Sequence, residues 1–277
     1  MSEPIYGKAF SDNAAENYER YFVPSIGGPI AEELIASAAL RAGERVLDVG
    51  CGTGVVARLA AEEVRDGSVA GLDINPAMLA VAREASANGT QIDWYEASAE
   101  AMPLPDDAFD VVLCQMSLQF MDDRVGALRE MRRVLAPGGR VVVNVPGPTP
   151  PLFASLADGL ASHVDPEIAG FVHHVFSLDP EGLRALAGDA GFEQVQVSRA
   201  NKRLRLPEAE DFLWQYIHST PLSARIIERG EDELRAMQGE ICADWAAFAT
   251  ADGMAIDVGI STLTGRPEPF KSSKTAE

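Results

Sequence analysis

The chain is poor in the residues that staple, switch or anchor a protein. It holds only three cysteines, Cys51, Cys114 and Cys242. Their number is odd and their spacing wide, so neither a disulfide framework nor a zinc ligand set is expected. A reduced, cytoplasmic setting fits that usage. Basic residues are few: Lys+Arg total 23 against Asp+Glu 42, a formal net charge of −19. Such an excess repels phosphate backbones and anionic lipid, so nucleic acid is not expected as a partner. The one basic cluster, Lys202, Arg203 and Arg205, is short. No run approaches the ~20 apolar residues of a membrane span. The opening MSEPIYGKAF has neither a basic start nor an apolar run, so no signal peptide is expected. Internal repeats and low-complexity tracts are also missing. No metal-ligand cluster is visible.

What is present is an ordinary globular composition, 47% hydrophobic and 23% charged, which argues against a disordered chain. Between residues 44 and 145 short apolar runs alternate with helical patterns. Strands are predicted over 45–49, 68–74, 91–96, 109–114 and 140–145. Helices are predicted over 55–64, 76–87 and 122–135, the last ended by Pro137-Gly138-Gly139. Continuous apolar strands alternating with helices imply a parallel sheet covered on both faces, hence a doubly wound α/β fold. Ligands of such sheets sit beyond the carboxyl ends of the strands.

Four prolines within 146–151 break the alternation. Residues up to 177 then read as helical, followed by a helix over 180–190 ended by Gly191, and a strand over 192–198. Long helical patterning covers 208–249, and 254–263 reads as a final strand. The polar tail from 267 to 277 is expected to be disordered.

The most informative stretch is Val46-Leu47-Asp48-Val49-Gly50-Cys51-Gly52-Thr53-Gly54. An apolar strand runs into three alternating glycines and then a helix. Glycines allow a sharp turn and let backbone amides approach a ligand. The spacing is G-x-G-x-G; a dinucleotide fingerprint would need its third glycine where Val55 stands. Asp48 precedes the first glycine by two residues, which suits a ligand bearing an ammonium better than a pyrophosphate. Asp73 ends the second strand, where a carboxylate can accept from both hydroxyls of a ribose.

With these residues, and with GLDINPAML (71–79), ASAEAMPLPDDAFD (97–110) and LREMRRVLAPGGRVVV (128–143), the chain resembles the class I S-adenosylmethionine-dependent methyltransferases. The likeness is to the branch that includes ubiquinone- and menaquinone-biosynthesis enzymes and many small-molecule methyltransferases. It covers about 44–145 strongly and the rest loosely. The resemblance implies a Rossmann-like seven-stranded sheet of order 3-2-1-4-5-7-6, the last strand antiparallel, with helical lid insertions. It implies one domain over 1–277: a core at 31–146, 178–206 and 252–266, and lids at 1–30, 147–177 and 207–251. It implies S-adenosylmethionine as methyl donor, S-adenosylhomocysteine as product, no metal, and a small, partly apolar acceptor. Asp48 would then face the methionyl ammonium, directly or through water. Gly50, Gly52 and Gly54 would wrap the methionine and adenosine. Asp73 would bind the ribose diol, Ile74 would pack on adenine, and Ser98 and Ala99 would meet adenine nitrogens. Many relatives carry Asp where Ser98 stands, so that contact would lack a charge here. Gln115 would line the methionyl end, or simply cap its strand.

Acceptor contacts must come from the lids. Tyr6, Tyr18, Tyr21 and Phe22 lie in the first, His163, His173 and His174 in the second, Trp214, Tyr216, His218 and Trp245 in the third. His173 and His174 are the candidate general bases, histidine being the natural base at neutral pH. Adjacent helical residues point about 100° apart, so at most one faces a pocket. Tyr21, Trp214 and Tyr216 are the candidate pocket wall, or else packing residues. Two other classes compete. An NAD(P)-dependent oxidoreductase is disfavoured by the glycine spacing and Asp48. A non-catalytic methyltransferase-like binding module is disfavoured by the intact loop and both acids. A methyltransferase of nucleic acid or protein is disfavoured too: amino-methylating enzymes of that kind often carry Asn/Asp-Pro-Pro-Tyr after the fourth strand, where this chain reads Cys114-Gln115-Met116-Ser117.

Overall fold

The computed structural model describes residues 13–87, 91–226 and 229–267. Tyr6 and positions 268–277 of the tail lie outside them; Pro267 ends the last strand.

The chain begins with α1 (Ala14–Asn17), a π-helical segment (Tyr18–Gly27) and α2 (Gly28–Ala38). The alternating half follows: β1 (Arg45–Val49), α3 (Val55–Val64), β2 (Ser68–Asp73), α4 (Pro76–Ser86), β3 (Ile92–Glu96), β4 (Phe109–Gln115), α5 (Arg124–Val134) and β5 (Leu135–Pro146). Local chemistry sets these boundaries. Asn75 caps α4 by accepting from Ala77 and Met78 amides, with Pro76 at the first helical position, and Asp123 caps α5 through the Gly126 amide. After β5 come α6 (Pro151–His163), α7 (Pro166–Val175), α8 (Pro180–Asp189), β6 (Phe192–Leu206), α9 (Ala209–His218), α10 (Ser223–Ile226), α11 (Glu231–Trp245), the two-residue β7 (Ala249–Thr250) and β8 (Gly253–Pro267).

The sheet order is β3-β2-β1-β4-β5-β8-β6, with β7 pairing only β8. The first five strands are parallel, and β8 runs antiparallel between β5 and β6. This is the expected seven-strand order, with the small β7 added as an eighth strand.

Two expected boundaries differ most. The Pro137-Gly138-Gly139 stop is not a turn between helix and strand but a bulge inside β5. Leu135 pairs Phe109, Arg140 pairs Val111, and the residues between loop out. Turn chemistry and bulge chemistry look alike in sequence, because both need a glycine at positive φ, here Gly138. Strand β6 runs eight residues beyond the expected 198, because β8 pairs with it as far as Leu206–Met254. Its polar face hid that length. Lys202 and Arg203, from the basic cluster, are spent on ion pairs with Glu33 and Asp257.

One face of the sheet packs Leu47, Val112 and Val143 against α5 and α8. The other packs Val46, Leu113 and Val142 against α2 and α3. A third cluster joins the lid helices to the far ends of β6 and β8 around Phe153, Phe212, Tyr216 and Trp245. The buried Trp245 indole donates to the Leu152 carbonyl at 3.0 Å, tying α11 to α6. The lids are thereby seated over the carboxyl ends of the parallel strands.

Candidate active site

The glycine loop is pinned by backbone bonds across the sheet. Amides of Gly50 and Cys51 both donate to the Leu72 carbonyl, at 2.7 and 3.1 Å. Gly50, Gly52 and Gly54 all have positive φ, a conformation that side-chain-bearing residues adopt only with strain. A Cβ on Gly50 would collide with the Ser117 side chain, so the loop backbone lies directly against that side chain just beyond β4. Asp73 reaches across from β2: its carboxylate accepts from the Gly52 amide at 2.8 Å and from the Asn75 amide at 2.8 Å. Burial pushes its pKa up, and those amide bonds pull the other way.

Two cavities meet here. One, about 320 Å³, lies beyond β2 and β3 and is lined by Asp73, Ile74, Ser98, Ala99, Glu100 and Asp122 among others. The second, about 240 Å³, lies beyond β4 under the lids, walled by Tyr18, Phe22, Met116, Phe171, Val175 and Tyr216, with Gln115 and Ser219 among its polar residues. Gly50, Asp73, Ile74, Ser117 and Phe120 belong to both walls. Ile74 is 63% exposed, a large apolar side chain left uncovered at the junction. The Gln115 amide is oriented by a 2.9 Å bond from its Nε2 to the Gly27 carbonyl, leaving Oε1 buried and unpartnered.

Of the residues singled out in the sequence, Gly50, Gly52, Asp73, Ile74, Ser98, Ala99, Gln115 and Tyr216 line one cavity or both. Asp48 and Gly54 line neither. Asp48 is 1% exposed, beneath the loop, accepting from the Ala57 amide at the start of α3; burial pushes its carboxyl up to about 8. Gly54 stands against the Trp94 ring.

The lid candidates fare differently. His173 is exposed, and neither it nor His174 lines the cavities. His174 Nε2 lies 2.7 Å from the Gln119 carbonyl, and its ring packs beside Phe120. Phe171 and Val175, on either side of the pair, are the α7 residues that reach the cavity. Tyr21 and Trp214 stack edge to face away from the pocket, with Trp214 48% exposed and lying on His218. The aromatics of the first lid that do line it are Tyr18 and Phe22, stacked at 4.5 Å. Burial first, then the Asp73 carboxylate, hold the Tyr18 phenol well above its ordinary pKa. The π-helical segment decides between the tyrosines: Tyr18 stacks on Phe22, and Tyr21 packs on Trp214 instead. The Ser117–Phe120 turn and Ser219–Pro221 carried no sequence signal, since they reach the site only through chain reversals after β4 and α9.

Among the described residues no group of three or more His, Cys, Asp or Glu side chains could hold a metal ion. No helix among them is long and apolar enough to cross a membrane.

Comparison with known proteins agrees with this geometry. Residues 47–143 match a methyltransferase domain model. The chain is 36% identical over 166 residues to demethylmenaquinone methyltransferase of Thermus thermophilus, covering 55% of this chain and 76% of that one. It is 35% identical over 178 residues to the ubiquinone/menaquinone biosynthesis C-methyltransferase UbiE of Pectobacterium atrosepticum, covering 58% and 71%. In fold it is similar to Haemonchus contortus phosphoethanolamine N-methyltransferase 2 in complex with S-adenosylmethionine, with TM-score 0.61 and 18% identity over 94% of this chain and 58% of that one. The loop, the acid at the end of β2 and these relatives converge: the chain belongs to the class I S-adenosylmethionine-dependent methyltransferases, as a small-molecule methyltransferase of the ubiquinone/menaquinone-biosynthesis-like branch.

Proposed function

We propose that the chain methylates a small, partly apolar ring of the quinone class, in its reduced and electron-rich form. The observation that carries this reading is the junction of the two cavities at Gly50, Asp73, Ile74, Ser117 and Phe120. The cavity beyond β2 and β3 suits an adenosine. The aromatic one under the lids suits a flat acceptor. A methyl group passed between them crosses that shared wall.

The residues present fit the donor. Asp73 takes the ribose diol, uncovered Ile74 packs on the adenine face, and Ser98 and Ala99 meet its edge. The unpartnered Gln115 Oε1 accepts from the methionyl ammonium, and Asp48 supplies a counter-charge from below the loop. When bound, S-adenosylmethionine supplies an activated methyl on a sulfonium, so the proposed reaction uses no metal. The chain's own work is to align the acceptor in line with that methyl and to exclude water, which Tyr18, Phe22, Phe171 and Tyr216 do by closing the aromatic slot. The bound donor would give up its methyl with the C–S electron pair staying on sulfur, and a ring carbon of the acceptor that takes the methyl would lose its proton to water. His173 and His174 are not retained as bases, since neither faces the cavity. A cytoplasmic setting is supported by the cysteine usage. The test is calorimetry with S-adenosylhomocysteine, then incubation of S-adenosylmethionine with 1,4-dihydroxynaphthalene, read by mass spectrometry for one added methyl. No heat with donor or product sinks the reading.

Two outcomes separate these roles. Tyr18→Ala opens the slot and lowers kcat/KM by about tenfold, roughly 1.4 kcal/mol of transition-state stabilisation. Tyr21→Ala, half-buried against Trp214 outside the cavity wall, leaves it within about twofold. Equal losses would remove the distinction drawn here between the two tyrosines.

Asp48 gives a pH signature. Its folded pKa is raised to about 8 by burial. Below the ordinary carboxylate range folded and unfolded chains are both protonated there. Between that range and about 8 the unfolded chain has lost the proton and the folded one keeps it. The Asp48 contribution to stability therefore falls as pH rises across this window. A bound ammonium or sulfonium nearby favours the ionised form, so binding at pH 7 releases a proton. Donor affinity accordingly rises with pH up to about 8 and then levels. Asp48→Asn is expected to flatten both dependences. Isothermal titration in buffers of different ionisation heat checks it, and identical proton release in the variant counts against Asp48.

A further inference from the structure

The lid carries a hydroxyl that the fold does not use. At the end of α9 three hydroxyl residues lie within five positions. Thr220 Oγ1 donates to the Tyr216 carbonyl at 2.9 Å, and Ser223 Oγ donates to the Thr220 carbonyl at 3.3 Å. Ser219 differs. Its Oγ is buried and has no hydrogen-bond partner, and the residue is 1% exposed in the wall of the aromatic cavity. It ends the helix through its backbone, whose amide donates to the Gln215 carbonyl at 3.0 Å, so the hydroxyl adds nothing to the cap. A buried hydroxyl without a partner costs the fold free energy, and such groups concentrate where a ligand supplies the missing bond.

The rest of the wall narrows that ligand. No Lys, Arg or His lines the cavity among the described residues, and the one carboxylate is Asp73. A carboxylate or phosphate in this slot would be desolvated without a cationic side chain and would face the Asp73 carboxylate. We propose that Ser219 binds an oxygen atom of the methyl acceptor, and that the cavity selects an uncharged, oxygen-bearing ring. This rests on the methyltransferase reading above and deepens it.

The test uses the full chain and its Ser219→Ala variant, each first titrated with S-adenosylhomocysteine and then held saturated with it. Three probes follow by calorimetry: 1,4-dihydroxynaphthalene, 1,4-dimethylnaphthalene and 1-naphthoate. The dihydroxylated ring should bind the variant about tenfold more weakly, the factor for one lost hydrogen bond. The dimethyl ring should bind both proteins alike, and the carboxylated ring should bind each at least about tenfold more weakly than the dihydroxylated one. The Tm of the ligand-free variant should equal or exceed that of the parent, because an unmet hydroxyl has gone. Equal affinity of both proteins for the dihydroxylated ring overturns the proposal, as does tight binding of 1-naphthoate or no binding of the dihydroxylated ring to the parent. A lowered Tm with uniform loss for all probes also overturns it, by making Ser219 a structural residue. Absence of heat with S-adenosylhomocysteine in the parent is a different result and refutes the underlying reading itself.

Discussion

Asp73→Ala is expected to abolish tight binding of S-adenosylmethionine and to loosen the glycine loop in the same stroke. Both effects follow from where β2 delivers this carboxylate. In the proposed complex it accepts from two ribose hydroxyls, and hydrogen bonds to a charged group contribute about 1.5–3 kcal/mol each. Losing both removes roughly 3–6 kcal/mol, more than about a hundredfold in Kd. The same oxygens already accept from the Gly52 and Asn75 amides. Those two donors lose their partner in the variant, so Tm should fall as well, by an amount equivalent to about 1–3 kcal/mol. Asp73→Asn keeps one acceptor oxygen and is expected to recover part of the stability and little of the affinity. Titration calorimetry with thermal melts of all three proteins checks this. Unchanged donor affinity in the alanine variant refutes the ribose role. Lost affinity with unchanged Tm would show that solvent replaces the carboxylate at the two amides.

Gly54→Ala is expected to destabilise the protein by about 2–5 kcal/mol, although Gly54 touches neither cavity. It stands before α3 at φ +84°, and a non-glycine residue there costs about 1–2 kcal/mol. A Cβ would also lie 2.5 Å from the Trp94 ring and 3.3 Å from the Ala82 methyl, an overlap that costs about 1–3 kcal/mol more. The Trp94 indole comes from β3 and fills a slot bounded by Gly54, Gly71 and Ala82. Trp94→Leu should therefore rescue part of the loss, the steric part, and leave the backbone strain. Denaturant unfolding of the two single variants and the double variant gives the coupling directly. Additive losses, or a Gly54→Ala protein as stable as its parent, would show that ring and loop do not contend for one space.

The two effects mark what each kind of information could supply. Strand and helix identity over 45–134 was legible because those segments are locally consistent: apolar runs of strand length, a proline at the start of α4, asparagine and aspartate caps. The glycine loop and Asp73 were legible because their chemistry lies within one strand–turn–helix and the end of the next strand. The extent of β6 was not, because an edge strand shows its polar face and takes its length from its partner β8. The choice of Tyr18 over Tyr21 and the dismissal of His173 and His174 depended on which way each helix is turned, and single residue types carry no such phase.

The sequence by itself determined the parallel sheet, the glycine turn after β1 and the acid at the end of β2, since short-range patterning and backbone geometry suffice for these. Only the tertiary structure decided the walls of the aromatic cavity. Tyr18, Phe120, Tyr216 and Ser219 are far apart in the chain, and they become one wall only when lid helices bury their apolar faces together above the strand ends.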